Sequence, residues 1–67
     1  MSSKRLNSVI KKLRVAKGLT QEQVAKQAKV TKNYVTMLES GARKSPSLPV
    51  LRRLARALGV PVTELLE

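Results

Sequence analysis

Residues 20–41 read TQEQVAKQAKVTKNYVTMLESG, and their spacing decides the fold. Thr20 followed three residues later by Gln23 matches a capping box, in which hydroxyl and carboxamide each satisfy a backbone N–H at a helix start. Leu19 and Val24 occupy the flanking staple positions. The pattern predicts a helix over about residues 21–28, too short to persist without packing through Val24, Ala25 and Ala28. Lys29 and Val30 interrupt it, Thr31 caps again, and Val30 pairs with Val35 across that cap. A further helix is expected over about residues 32–40, with Gly41 at its C-terminal stop. Only about three residues separate the two helices, so they must turn sharply and cross. Small Ala25 permits close approach, and Val24, Ala28, Val30, Val35 and Leu38 are spaced to fill the angle. This is a helix-turn-helix arrangement.

The flanks extend the same pattern. Upstream, Leu6, Val9, Ile10 and Leu13 recur at helical spacing between Lys4 and Lys17, and Gly18 ends that helix. Residues 1–3 are expected to be a flexible tail. Downstream of the loop Ala42–Pro46, Ser47 caps a fourth helix that tolerates Pro49 in its first turn. Its apolar stripe is Leu48, Leu51, Leu54, Ala55 and Leu58, with Gly59 at the end. After Pro61, residues 62–66 suit one or two last turns. No segment alternates like a strand, so an all-α, five-helix domain over residues 4–67 is expected.

Residues 20–41, followed by PSLPVLRRLARALGVPVTELL at 46–66, resemble the lambda repressor/Cro family, also called the XRE family. Within it the chain looks most like restriction–modification controller proteins and short phage repressors. The T-Q-E-x-V-A start, the L-E-x-G after the next helix and the P-S-L…L-A-R-A-L-G-V segment occur in order. Two departures stand out. Lys29 replaces the Gly such proteins often carry at a left-handed position, and the Arg43–Pro46 loop is about one residue longer than the common form.

Composition independently narrows the function. The 67 residues carry 14 Lys+Arg against 4 Asp+Glu, a formal net charge of +10, and include no His, Cys, Trp or Phe. Zinc and haem sites lack their usual ligands, and Cys–His or Ser–His nucleophile chemistry lacks its base. Neither an enzyme nor a cofactor is expected. Disulfides are impossible, and unbroken apolar runs reach only two residues, which suits a cytoplasmic chain with no membrane partner. The charge excess calls for a polyanion. A continuous basic helix for a membrane surface would not be interrupted by two capped starts, so the expected partner is double-stranded DNA.

On the third helix, Val35 and Leu38 point inward, which leaves Asn33, Thr36, Met37 and Ser40 outward with Lys32 and Tyr34 at the edges. That face is polar yet almost uncharged in a strongly basic chain, as a surface that reads base edges should be. Asn33 can pair with adenine, Lys32 can reach guanine or a phosphate, and Thr36 and Met37 can meet thymine methyl groups. Phosphate candidates are Gln21, which the resemblance assigns to the start of the second helix, then Gln23, Tyr34, Ser40, Arg43 and Lys44. Tyr34 reads equally as a half-buried ring packed on the fourth helix. Lys11, Lys12, Arg52, Arg53 and Arg56 read as solvated faces.

The resemblance also implies a partly buried ion pair between Arg14 and Glu39, structural rather than functional. Val60, Val62, Leu65 and Leu66 are candidates for a homodimer interface, or close over the first and fourth helices within one subunit. The expected function is a sequence-specific transcriptional regulator, repressor or activator, that binds palindromic half-sites and takes no small-molecule ligand. Glu22 lies where activators of the family can touch RNA polymerase. The alternative is an antitoxin-type DNA-binding module with a protein partner.

Overall fold

Three threonine and serine hydroxyls set where the helices begin. In a computed structural model that describes residues 3–43 and 46–66, the helices are α1 (Ser3–Ala16), α2 (Gln21–Ala28), α3 (Lys32–Ser40), α4 (Leu48–Leu58) and α5 (Thr63–Leu66). Thr20 Oγ1 accepts from the Gln23 N–H at 3.1 Å while Gln23 Oε1 accepts from the Thr20 N–H at 2.8 Å, so both halves of the capping box form. Thr31 accepts from the Tyr34 N–H at 3.0 Å and Ser47 from the Val50 N–H at 3.4 Å. Ser3 belongs to α1 rather than to the tail expected over residues 1–3.

Helix ends follow one repeated device. After α1, α2 and α4 the chain enters the left-handed region at Gly18, Lys29 and Gly59, and the next N–H reaches back five residues. Leu19 thus donates to Arg14 O at 3.0 Å, Val30 to Ala25 O at 2.9 Å and Val60 to Ala55 O at 3.0 Å. Lys29, at φ 59°, is the one non-glycine among the described residues with positive φ. Its Cβ crowds the following carbonyl there, at a cost of about 1–2 kcal/mol. Gly41, at φ 85°, ends α3, and a Cβ on it would lie 2.8 Å from the Asn7 amide nitrogen of α1.

The amphipathic faces close on one core. Ile10, Val24, Val35, Leu38, Leu54, Leu58 and Leu65 are the largest side chains sealed from solvent. Buried Ala25 and Ala28 let α2 nest between α3 and α4, while α1 packs on α3 and α5. Two expectations change here. Leu48 begins the α4 stripe by spacing yet is 44% exposed, and Ala57 is buried instead. Leu65 is 1% exposed, so it belongs to its own subunit's core and not to a dimer surface. Val60 and Val62 also lean on that core, which leaves Leu66, 44% exposed, as the outward member of the expected quartet.

Lys29→Gly relieves the left-handed strain but makes the unfolded chain more flexible. The expected net gain is about 0.5–1 kcal/mol, a Tm higher by about 2–8 °C in thermal unfolding followed by circular dichroism. An unchanged or lower Tm would show that Lys29 sits there without strain.

Candidate nucleic-acid interface

The position of α3 is fixed from behind by a charge. Arg14, on the last turn of α1, donates from Nε to Glu39 Oε2 at 2.6 Å and from Nη2 to Glu39 Oε1 at 3.0 Å. Its remaining Nη1 donates to the Leu19 carbonyl at 2.8 Å, just before the cap of α2. The two side chains are 13% and 4% exposed, so the fork-to-fork pair is largely withdrawn from water. The hydrogen bonds that Arg14 donates to Glu39 and, less so, the Glu39 charge raise the Arg14 pKa above the ordinary arginine range against the opposing pull of burial. Stabilisation from the arginine charge is therefore present throughout the neutral range and is lost only in strong alkali, as pH passes that raised value.

Glu39 also holds Gln21, the first residue of α2. Gln21 Nε2 donates to Glu39 Oε1 at 3.1 Å, and Gln21 Oε1 accepts from Thr36 Oγ1 at 2.8 Å. One amide hydrogen of Gln21 is left for an external acceptor. These residues, with Lys11 and Ser40, line an open notch of about 300 Å³ between α1, the start of α2 and α3. The positive end of the α2 dipole faces the same side.

The outer face of α3 carries exposed Lys32, Asn33 and Thr36, with Met37 half-buried beside them. Ser40 is exposed, but its hydroxyl donates to Met37 O at 3.1 Å and accepts from the Ala42 N–H at 3.3 Å. A phosphate contact from Ser40 would have to break the first of these bonds. Gln23 is folded back into its capping box, which leaves only its amide N–H groups for a phosphate. Tyr34 is held between the core and a loop arginine. Its ring is half-buried against the core, and the Arg43 guanidinium stacks over it with Cζ 5.0 Å from the centroid. Lys44 lies outside the described residues.

A family model described as HTH_3, helix-turn-helix, matches residues 10–65. The chain belongs to this XRE-type helix-turn-helix family of DNA-binding transcriptional regulators. It is 48% identical over 50 residues to the uncharacterized HTH-type transcriptional regulator YqaF of Bacillus subtilis, a match covering 75% of this chain and 64% of that protein. It is 42% identical to the cryptic phage CTXphi transcriptional repressor RstR of Vibrio cholerae, over 88% of this chain and 52% of that protein. The chain therefore spans between about half and two thirds of the length of these two relatives. Among solved structures, the restriction-modification controller protein C.AhdI from Aeromonas hydrophila superposes with a TM-score of 0.88 at 35% identity, covering 94% of each chain. The biofilm master regulator SinR, in complex with DNA, gives 0.87 at 31% identity over 92% of this chain and 98% of that one.

Two residues of this helix-turn-helix domain escape a reading by spacing alone. Lys11 reads as a solvated charge, yet it lines the notch. The signal was present: Lys11 precedes Arg14 by three residues, so a helix that aims Arg14 at Glu39 aims Lys11 alongside. Arg53 likewise reads as solvent-facing, but its Nε donates to the Ala28 carbonyl at 2.8 Å and so caps the C-terminus of α2. No local pattern announces that contact.

Glu39→Gln keeps the shape of the side chain and removes its charge, which leaves the Arg14 guanidinium enclosed without a counterion. The expected cost is about 3–5 kcal/mol in denaturant unfolding. A loss under about 1 kcal/mol would mean that the pair behaves as an exposed one.

Proposed function

We propose that this chain is a homodimeric transcriptional regulator that lays α3 in the major groove of each half of a palindromic operator. One observation carries the reading. In a chain of net charge +10, the exposed face of α3 bears hydrogen-bonding and methyl groups with a single cation, Lys32, at its start. Cations stand to the sides instead, Lys11 in the notch and Arg43 stacked on Tyr34. Phosphate contacts at the flanks set register, and uncharged groups between them discriminate bases. SinR, whose structure is in complex with DNA and whose fold this chain shares, supports DNA as the partner.

Asn33 is the principal reader, through a bidentate contact with adenine, and Met37 supplies apolar contact to a thymine methyl. Gln21, through its remaining amide hydrogen, and the α2 N-terminus hold one phosphate, joined by Lys11. One short recognition helix covers too few base pairs for useful specificity, and a two-fold dimer doubles the site. Leu66 and the exposed edges of Val60 and Val62 form its interface. Transcription then responds to protein concentration and operator geometry in the cytoplasm where the DNA lies. Among the described residues no helix is long and apolar enough to cross a membrane.

Selection from random duplex DNA at physiological salt tests this reading. Two inverted half-sites about one helical turn apart are expected. With three or four phosphates neutralised per subunit, log K against log salt should fall with a slope of about −5 to −7. Lys11→Ala and Arg43→Ala should each weaken all sequences alike and flatten that slope by about 2 in the dimer. Asn33→Ala should relax preference at one base pair per half-site by about 1–3 kcal/mol. Absence of any enriched site, or a strictly monomeric chain in sedimentation at tens of micromolar, would overturn the proposal.

A further inference from the structure

The hydrogen bonds behind α3 have a direction, and that direction reaches the recognition face. Both Glu39 oxygens already accept from Arg14 and serve as acceptors toward any further neighbour. Gln21 must therefore turn its amide nitrogen toward Glu39, as its 3.1 Å contact requires, and its carbonyl oxygen the other way. This orientation follows from the chemistry of the carboxylate alone. The Gln21 carbonyl then faces Thr36 Oγ1 at 2.8 Å, and an amide oxygen can only accept. The second neighbour of that hydroxyl is the Lys32 carbonyl at 3.1 Å, again an acceptor.

A threonine hydroxyl has one hydrogen and two lone pairs. Whichever of the two inner oxygens takes the hydrogen, none is left for the groove. We propose that Thr36 is an acceptor-only base reader, its polarity locked by the Arg14–Glu39–Gln21 relay. On the strand it contacts, it favours a base whose major-groove edge carries an exocyclic amino group. Adenine N6 and cytosine N4 donate to its lone pair, whereas guanine O6 and thymine O4 confront it with a second acceptor. A threonine without this relay donates or accepts and tolerates either edge. The inference rests on the placement of α3 in the major groove proposed above. It adds a rule of base choice at one position and makes Gln21 a positioning residue for it.

The test compares operators selected by the wild-type chain, Thr36→Val, Thr36→Ser, Gln21→Ala and Asn33→Ala. The wild-type chain should enrich adenine or cytosine on one strand at one position per half-site. Thr36→Val, which keeps the shape and removes the oxygen, should lose that preference by about 2- to 12-fold, the effect of one hydrogen bond. Thr36→Ser should keep it. Gln21→Ala should lose part of it, because the hydroxyl can then rotate between the Lys32 carbonyl and the groove. If adenine is selected, replacing it by purine, which lacks the 6-amino group, should weaken wild-type binding more than Thr36→Val binding. If cytosine is selected, 2-pyrimidinone takes that role.

Enrichment of guanine or thymine that Thr36→Val abolishes would show a donating hydroxyl and overturn the lock while leaving the groove placement intact. An unchanged preference in Gln21→Ala would remove Gln21 from the relay. A preference altered by Asn33→Ala and untouched by Thr36→Val would remove Thr36 as a reader. Should neither Asn33→Ala nor Thr36→Val change the selected sequence, the placement of α3 itself would fail and the inference with it.

Discussion

A guanidinium–carboxylate pair largely withdrawn from water ties α1 to α3 and to the segment just before α2. α2 has 8 residues and α3 has 9, each below the length at which an isolated helix persists in water. Their relative angle is a property of tertiary contacts, and apolar burial alone leaves that angle soft, because Val and Leu contacts are not directional. Arg14 supplies direction. Its five donors point in a fixed plane, two of them to Glu39 on α3 and one to Leu19 beside the α2 cap. A well-packed hydrophobic replacement could match the pair in stability. It could not orient Gln21, which needs an acceptor on one side so that its carbonyl faces the other.

The cations divide into two groups by what they touch. Arg14 and Arg53 are used inside the fold, the first on a carboxylate and the second on the closing carbonyl of α2. Exposed cations on the helices, Lys12, Lys26, Arg52 and Arg56 among them, maintain a positive field. Such a field raises encounter rate and affinity for any duplex and carries no sequence information. Discrimination needs groups whose energy changes sign with the base they face, and neutral donors and acceptors do that better than point charges. The sparing use of charge on α3 is consistent with this division. Arginine, the commonest reader of guanine, is missing from α3 and present at its flank as Arg43.

The parts of the fold legible in the sequence are those governed by neighbours three to five residues away. Thr20 with Gln23, Thr31, Ser47 and the terminal glycines announce helix boundaries because capping is local chemistry, and the bounds of α2, α3 and α4 follow from them. Lys29 is legible as a left-handed residue only through the resemblance, because it stands where the family often carries Gly. Less legible are contacts that depend on how helices cross. Leu48 and Leu65 both sit on apolar stripes, yet one is exposed and the other seals the core. Arg53 meets Ala28 only because α4 runs beside the end of α2. For the recognition face, periodicity identifies Asn33 and Thr36 as outward-facing. It says nothing of what the Thr36 hydroxyl touches from behind.

That difference bears on how specificity arises in so small a domain. A side chain's identity defines what it can donate or accept, but the hydrogens it has left are defined by its neighbours. Thr36, Ser40 and Gln21 have each committed hydrogen to an internal oxygen, whereas Asn33 has no side-chain hydrogen-bond partner among the described residues. In the proposed placement of α3, Asn33 then offers a base both a donor and an acceptor, and Thr36 offers lone pairs. Under that proposal, two residues three apart on one helix make unlike demands on the bases they face without any charged contact. The core that holds α3 in place also determines what α3 offers, because the same carboxylate that binds Arg14 orients Gln21 behind the reading face.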